Sequence, residues 1–255
     1  MEILFENRDV VVCLKPAGVL SEDAPAARRK RTDVPARAET AVRLAGASAA
    51  PAAMPALLRA HWGRPDAPVY PVHRLDTGAS GVMVYAKTRA AAAALSAQIQ
   101  SGGFRKEYRC VCAGVPAPPC GEMRDWLFKD SRSNKVFCVR GARRGAKEAL
   151  LDYEVLAVCG ADPSAAPAGA GGFALCAVRL HTGRTHQIRV QFASRRHPLC
   201  GDGKYGSREK GALALWCARL TFVLPGAEAP RSFFAPQPAE GAFARFAADA
   251  AASFC

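Results

Sequence analysis

The chain has 255 residues, half of them hydrophobic, and this length and composition predict a globular protein with one full-sized core. Its formal net charge of +13 favours a polyanionic partner, although charge alone does not choose between RNA, DNA and an anionic membrane. No stretch approaches the ~20 apolar residues of a membrane span, and the start of the chain is acidic and unlike a signal peptide, so we expect a cytoplasmic protein.

The first predicted strand covers residues 9–14 and runs into a turn made by Lys15, Pro16 and Gly18. From Ser21 to about Pro68 the composition shifts to alanine, proline and arginine, which predicts a mobile or partly helical insertion. The basic cluster at 28–31 within it is either a solvated charge run or a phosphate contact.

The stretch from His73 to Gly81 is a polar turn that leads into the apolar run Val82–Ala86, which predicts a buried strand. It puts Asp76 on a tight loop at the entry of a core strand, with Arg74 two positions before it. From the residues alone, Asp76 either accepts hydrogen bonds from turn amides or carries chemistry on a loop held by a rigid scaffold.

A helix is predicted after Thr88, which can cap it, and should end at Gly102 and Gly103. The next segment, 104–115, alternates as a strand does and has Tyr108 near its head, where a tyrosine most often serves packing. Residues 116–147 are expected to be a basic, loop-rich segment. A strand over 149–158 and a surface loop over 160–172 follow.

A strand is predicted to end near Leu180, and Thr185 is predicted to cap a short helix with Ile188 and Phe192 facing the core. Asp202 lies on a Gly-Asp turn further along. Residues 213–224 are expected to form one long strand or two strands with a kink. The tail, 238–255, is predicted to be an amphipathic helix.

No phosphate-binding glycine loop and no Cys-x-x-Cys pair occur in the sequence, so neither a nucleotide cofactor nor a metal is expected. The ten cysteines are scattered, several within apolar runs, and are best interpreted as reduced, small core residues.

Several motifs occur in the order found in the RluA-type pseudouridine synthases, which this sequence resembles over most of its length. They are Lys15-Pro16-Ala17-Gly18, His73-Arg74-Leu75-Asp76 with its Thr-Gly turn, Lys106-Glu107-Tyr108, Thr182 through Val190, and His197 through Gly206. Two departures are Ala79, where the family more often has threonine or serine, and Arg196, which replaces a glycine.

The resemblance implies an α+β fold with a long, mixed, mainly antiparallel sheet, flanking helices and a central active-site cleft. It also implies a single catalytic domain over residues 1–255 without the N-terminal RNA-binding domain that many relatives carry. RNA recognition is then expected from the basic catalytic domain itself and from segments 21–68 and 116–147. The implied partner is a ribosomal or transfer RNA stem-loop, and we expect a monomer.

The resemblance further implies roles for individual residues. Asp76 would be the catalytic carboxylate, Arg189 its ion-pair partner, and Tyr108 the ring that stacks on the target base. The residues implied in substrate binding are His73, Arg74, Arg184 and Ile188. Arg74 would fill the space vacated by a flipped uridine or bind phosphate, and Ile188 would supply an apolar wall.

Two alternatives remain open at this stage. One is a non-catalytic RNA-binding protein with the same fold, against which the joint presence of Asp76, Tyr108 and Arg189 argues. The other is an unrelated carboxylate enzyme such as a hydrolase, which needs a second positioned carboxylate. Asp202 is the one candidate for it.

Overall fold

The computed structural model describes residues 1–23, 52–160 and 171–246, and within them eleven strands and three α-helices. The strands are β1 (Ile3–Glu6), β2 (Val10–Lys15), β3 (Tyr70–Pro71), β4 (Ser80–Ala86), β5 (Arg105–Ala113), β6 (Cys120–Asp130), β7 (Lys135–Val139), β8 (Ala146–Cys159), β9 (Phe173–Leu180), β10 (Leu215–Val223) and β11 (Pro230–Phe234). The helices are α1 (Met54–His61), α2 (Arg89–Ser101) and α3 (Gln187–Ser194).

All of these strands belong to one sheet, in the order β1-β2-β4-β10-β5-β9-β8-β6-β7, with β3 paired to β4 and β11 paired to β10. Every pairing between these strands is antiparallel except that of β4 with β10. The implied long, mixed, mainly antiparallel sheet with flanking helices is therefore confirmed.

The middle of the sheet is buried on both faces, as continuous apolar runs predict. The side chains of Val10 through Cys13 on β2 and Val82 through Ala86 on β4 have no exposed surface. They meet in register, with Val12 opposite Val84. Because β4 is buried on both faces, it is held in place and fixes the end of the loop that precedes it.

The parallel contact between β4 and β10 is unusually close at Gly81, which lies opposite Cys217. A Cβ built on Gly81 would lie 2.3 Å from the backbone oxygen of Cys217, and the residue has a φ of +116°. Glycine alone has both the free space and the backbone freedom for this position. The close approach joins the two halves of the sheet directly after the Asp76 loop.

Helix α2 forms as predicted. The Thr88 hydroxyl accepts a hydrogen bond from the Ala91 amide at 3.2 Å, and Gly102 ends the helix with a left-handed conformation. Leu95 is buried, and Ile99 packs at the edge of the core. Within the 21–68 insertion, α1 begins with Pro55 in its first turn, while residues 24–51, including the 28–31 cluster, lie outside the described residues.

The expected basic loop over 116–147 is wrong, because β6 and β7 form an antiparallel hairpin there. Its buried side chains on β6, Met123 and Leu127, are four positions apart, and the position between them on the same face is the charged Asp125, so no strand alternation is visible in the sequence. Leu127 and Val136 of the hairpin pack with Ala149 and Val190 in a small separate core, which fixes the hairpin against α3.

The predicted helix over 238–255 is also wrong as far as residue 246. A single 3₁₀ turn, Gly241–Arg245, is flanked by extended residues at Glu240 and Phe246. Phe243 is buried in the core, and Arg245 is held by Glu209 at 2.9 Å. This short turn is thus fixed by single contacts and has no continuous apolar face of the kind that an amphipathic helix would present. Residues 247–255 lie outside the described part of the chain.

Among the described residues, eight cysteines carry free thiols, and six of these are buried, as expected for small core residues. Cys120 differs, since it is disulfide-bonded. In the ranges that the structure describes, no helix has the length and apolar character needed to cross a membrane.

Substituting Gly81 by alanine tests the close approach of β4 and β10. We expect Gly81→Ala to destabilise the protein by about 4 kcal/mol or more, because the added methyl group collides with backbone that has nowhere to move. The measurement is the free energy of urea unfolding. Gly103→Ala is the matched control: its Cβ would have its nearest neighbour at an ordinary 3.7 Å, so a similar loss in both variants would contradict the prediction.

Candidate active site

A buried lysine, Lys15, binds the backbone of the loop that carries Asp76. Lys15 Nζ donates hydrogen bonds to the carbonyl oxygens of Pro16, Thr77 and Ala79, at 2.9, 3.2 and 2.7 Å. Burial lowers the pKa of Lys15 to about 8, although the nearby charge of Asp76 opposes the shift. The lysine of the first motif is thus a clamp on the backbone of the Asp76 loop.

A second clamp acts on the residue just before Asp76. The Ser21 hydroxyl donates to the Leu75 carbonyl oxygen at 2.7 Å and accepts from the Leu75 amide at 3.0 Å. With the turn hydrogen bond from the Ala79 amide to the Asp76 carbonyl oxygen at 3.0 Å, the backbone around Asp76 is fixed on both sides. Ala79, the departure from the family pattern, makes its loop contacts through the backbone, so these do not need a hydroxyl side chain.

Arg189 joins two carboxylates that are far apart in sequence. Its Nη1 donates to Asp76 Oδ2 at 3.0 Å, while Nε and Nη2 donate to the two oxygens of Asp202 at 2.7 and 2.8 Å. The side chains are 12 % exposed for Arg189, 23 % for Asp76 and 1 % for Asp202. Burial alone would lower the pKa of Arg189, but both carboxylates raise it above its usual value.

This geometry gives Asp202 a role different from that of a second catalytic carboxylate. Both of its oxygens are occupied by one guanidinium, and its side chain is almost wholly buried, so it orients Arg189. Asp76 keeps one oxygen, Oδ1, that does not contact Arg189. The hydrolase alternative needs a second free carboxylate and does not fit this arrangement.

The turn before α3 is built by Gln187, and the prediction that Thr185 caps the helix is wrong. Gln187 Oε1 accepts hydrogen bonds from the Thr182 hydroxyl at 2.8 Å and from the Arg184 amide at 3.0 Å. His186 precedes the helix in a left-handed conformation with a φ of 52° and makes no capping hydrogen bond. This conformation turns the chain so that His186 and Arg189 both reach Asp76. Ile188 and Phe192 face the core as predicted.

His186 lies next to the free oxygen of Asp76. Its Nδ1 is 2.8 Å from the Tyr205 hydroxyl, and its Nε2 is 4.0 Å from Asp76 Oδ1. Since the Tyr205 oxygen accepts a hydrogen bond from the Val136 amide at 3.0 Å, its own proton is free to be donated to His186. That assignment leaves the ring proton on Nε2, facing Asp76. Burial lowers the pKa of His186, which favours the neutral ring.

The opposite wall of the site comes from β5. Lys106 and Tyr108 are two positions apart on this strand, so both side chains point to the same face of the sheet. The Tyr108 hydroxyl bonds to the buried thiol of Cys217, and burial together with the charges of Cys217 and Asp76 raises the pKa of Tyr108 well above its usual value. The tyrosine is therefore a neutral ring.

Together these elements enclose a cavity of about 450 Å³ that opens to solvent. Its walls come from residues 71–76, from Lys106 and Tyr108, and from residues 183–189, with Leu215 among the apolar groups. The volume is that of a site for one small molecule or one unit of a polymer. The implied central cleft is thus present, with Asp76, Tyr108, Ile188 and Arg189 all lining it.

The other sequence-predicted residues have different positions. Arg74 stands at the mouth, 71 % exposed, with Glu22 2.7 Å from its guanidinium. Arg184 lies on the rim and donates from Nε to the Glu148 carbonyl oxygen at 2.8 Å. His73 is buried, with Nε2 accepting from the Val84 amide at 3.2 Å and a buried Nδ1. His73 thus binds the Val84 amide and also lies on the cavity wall, so its implied part in substrate binding stays a prediction.

Four residues of the site were missed as functional candidates: Lys15, His186, Asp202 in its orienting role, and Tyr205. Lys15 lies in the short Lys-Pro-Ala-Gly motif, and the other three lie in the motifs over 182–190 and 197–206. The motifs thus contained all four residues, but the sequence pattern did not indicate what each of them does. In the described ranges, no group of three or more histidine, cysteine, aspartate or glutamate side chains is arranged to hold a metal ion.

The buried position of His73 makes acid stability testable. Burial, and to a smaller degree the charge of Lys106, lower the pKa of His73 to about 3 from 6.5. Between these values the unfolded chain binds more protons than the folded one, so stability falls with falling pH by up to ~1.4 kcal/mol per unit. We expect His73→Gln, which keeps an acceptor for the Val84 amide, to reduce this slope below pH 6.5. Unfolding in urea at pH 7, 6, 5 and 4 measures it, and parallel slopes for the two proteins would contradict the prediction.

Comparison with known proteins places the chain in one family. The RNA pseudouridylate synthase family matches residues 9–194. RNA pseudouridine synthase 2, chloroplastic, of Arabidopsis thaliana is 35 % identical over 153 residues, which is 59 % of this chain and 34 % of that protein. Ribosomal large subunit pseudouridine synthase D of Zymomonas mobilis is 32 % identical over 216 residues, which is 84 % of this chain and 59 % of that protein. The chain thus spans about a third to three-fifths of the length of these relatives.

Solved structures agree at the level of the fold. Human RNA Pseudouridylate Synthase Domain Containing 1 is similar with a TM-score of 0.66 at 20 % identity, covering 93 % of this chain and 83 % of that one. Human RNA Pseudouridylate Synthase Domain Containing 4 gives a TM-score of 0.64 at 21 % identity, covering 93 % and 88 %. With a family match over more than half of its length and this shared fold, the chain belongs to the RNA pseudouridylate synthase family.

Proposed function

We propose that this protein isomerises a specific uridine of ribosomal or transfer RNA to pseudouridine, with Asp76 as the catalytic carboxylate. The observation that carries the proposal is the geometry of Asp76 in a chain of this family. One of its oxygens is bound by Arg189 and the other, Oδ1, is free at the cavity. A partly buried carboxylate that must act in its ionised form needs such a cationic partner.

The reaction detaches uracil from its ribose, rotates it and rejoins it through carbon 5, with no net oxidation or reduction. Asp76 acts on the ribose or on the base, either as a nucleophile or by removing a sugar proton. Arg189 keeps the carboxylate charged and oriented, and Asp202 keeps Arg189 in place. The proposal requires no cofactor.

The dimensions of the cavity support a flipped base. A uridine stacked in a stem cannot reach Asp76, so it has to leave the stack and enter the cavity, at a cost of a few kcal/mol that contacts in the site offset. Tyr108 stacks on the uracil and Ile188 forms an apolar wall. Arg74 at the mouth fills the vacated space or binds phosphate.

The partner follows from charge and position. The turn that joins β7 to β8 contributes Arg140, Arg143 and Arg144, which lie at the surface, and Arg184 on the cavity rim is hydrogen-bonded to β8 beside this turn. A phosphate backbone is the natural ligand of such a basic rim. We further propose a cytoplasmic location and a monomer as the working form.

A second candidate function is RNA binding without catalysis. The net charge of +13 favours it as much as it favours the enzyme. Against it stand Asp76, Arg189 and Asp202, because two carboxylates around one buried guanidinium do nothing for the binding of a polyanion. The first experiment therefore separates binding from chemistry.

Replacing Asp76 by asparagine is expected to abolish pseudouridine formation and to leave RNA binding intact. The amide is the same size and can still accept a hydrogen bond from Arg189, but it carries no charge and is a poor nucleophile and base. Pseudouridine mapping on total RNA compares cells that lack the gene after complementation with wild type or with Asp76→Asn. A site restored by wild type alone gives the activity and its substrate together.

Asp66→Asn is the matched control, since Asp66 is exposed and does not line the cavity. It should restore the same site as wild type. If no RNA position changes on deletion while the purified protein still binds RNA, the non-catalytic function replaces the proposed one.

The basic turn gives a separate prediction about the RNA surface. The triple variant Arg140→Gln, Arg143→Gln, Arg144→Gln should bind substrate RNA more weakly and with a flatter salt dependence. The physical reason is that removing one cation that neutralises a phosphate reduces the slope of log K against log salt by about 0.7 to 0.9. Fluorescence anisotropy titrations at several salt concentrations measure both quantities.

A second triple variant controls for net charge. Arg8→Gln, Arg64→Gln, Arg89→Gln removes three exposed cations from the β1–β2 turn, the loop after α1 and the start of α2, and none of the three residues lines the cavity. Equal slopes for the two triple variants would mean that the turn is not part of the RNA surface.

A further inference from the structure

Lys106 is a cavity-lining cation for which the described part of the chain provides no counterion. Its side chain reaches the cavity wall at Gly183, where an added Cβ would lie 3.1 Å from Nζ. Within residues 1–23, 52–160 and 171–246, no carboxylate or hydrogen-bond acceptor binds the Lys106 ammonium. Its electrostatic neighbours are the buried Cys217 thiol and the ring of His73, which stays neutral.

The other cations of the cavity and its loop are already engaged. Arg189 binds two carboxylates, and Lys15 donates to three carbonyl oxygens beneath the Asp76 loop. Arg184 is hydrogen-bonded to a β8 carbonyl oxygen at the rim, and Arg74 pairs with Glu22 at the mouth. A poorly solvated ammonium group without a partner costs free energy to bury. Its position at the cavity wall therefore favours the binding of a negatively charged ligand group.

The proposed isomerisation produces such a ligand. When the bond between N1 and C1′ breaks, its electron pair stays on the uracil, and the negative charge spreads over N1, O2 and O4. This holds whether Asp76 attacks the ribose or removes a sugar proton. When C5 joins C1′, the ring gives up the C5 proton and N1 takes up a proton, so the isomerisation is balanced and needs no co-reactant.

We propose that Lys106 is a further catalytic residue, whose ammonium contacts a carbonyl oxygen of the uracil and stabilises the anion while the base is detached. The inference rests on the proposed function. Lys106 transfers no proton in this step; it supplies a fixed positive charge where negative charge develops. Such preorganised charge in a water-poor site is among the largest contributions to catalysis.

The fold supports this placement. Lys106 lies on the same face of β5 as Tyr108, so a base stacked on the tyrosine ring would present its edge towards the ammonium. The backbone of Lys106 pairs with Leu180 of β9 on one side and Leu220 of β10 on the other, which fixes the root of the side chain. Burial lowers the pKa of Lys106, which is consistent with an ammonium that is short of water and therefore interacts strongly with an incoming anion.

The test separates binding from chemistry in a single-turnover assay with the RNA identified by mapping. Lys106→Met keeps the length and apolar stem of the side chain and removes the charge. We expect its rate of pseudouridine formation to fall about 100-fold or more, while its Kd for RNA changes little. Lys210→Met, an exposed lysine outside the cavity, should behave as wild type. Thermal unfolding of each variant verifies that it is folded.

Chemical rescue distinguishes a charge from a structural support. Lys106→Ala opens space for a small cation, so added propylammonium should raise its rate several-fold, whereas propan-1-ol of similar size should not. A wild-type rate in Lys106→Met, a defect confined to RNA binding, or a Lys106→Ala variant that propylammonium does not rescue would each overturn the inference. If the wild-type protein itself forms no pseudouridine, the proposed function is wrong, and this outcome is distinct from a failure of the Lys106 proposal alone.

Discussion

The structure depends on a single guanidinium shared by two carboxylates. Arg189 comes from the first turn of α3, Asp76 from the loop before β4, and Asp202 from the turn that follows Cys200. Asp76 is far from the other two in the sequence, and each of the three carries a charge that is expensive to bury alone. The three side chains bind each other and tie the loop to the helix, while Asp76 keeps one oxygen free. Both the loop and the start of the helix line the cavity.

Around this cluster, buried cations serve two different ends. Lys15 is saturated: its three donors meet three carbonyl oxygens, and the result is a rigid loop. Lys106 has no such acceptors in the described part of the chain, so its ammonium group is a positive charge without a counterion at the cavity wall. Both residues lie near the ends of strands and both have their pKa lowered by burial. What separates a structural lysine from a reactive one here is the number of acceptors within reach, which composition and motif spacing do not reveal.

The sequence predicted those features that local chemistry controls. The apolar runs of β2 and β4, the cap and end of α2, and the core side of α3 follow from spacing and from single residues such as Thr88 and Gly102. The pairing of Asp76 with Arg189 was expected only through the resemblance to a family, because nothing local connects positions 113 apart. The hairpin of β6 and β7 was missed because its buried residues are sparse and its strands are half exposed. His186 was missed because its role depends on a hydroxyl from Tyr205 and an amide from Val136, which tertiary packing alone brings together.

The sequence separation of Asp76 and Arg189 has a consequence for how activity is acquired during folding. Closing a loop of this length is entropically costly and slow compared with forming a hairpin. In the finished sheet, the pairings of β4 with β10, β10 with β5 and β5 with β9 connect the Asp76 loop to the strand that precedes α3. The positive charge of the chain, by contrast, is present from the start and attracts a polyanion to partly folded chains as well. In the proposed function, attraction of RNA needs only this charge, whereas modification needs Asp76 and Arg189 brought together by the paired strands.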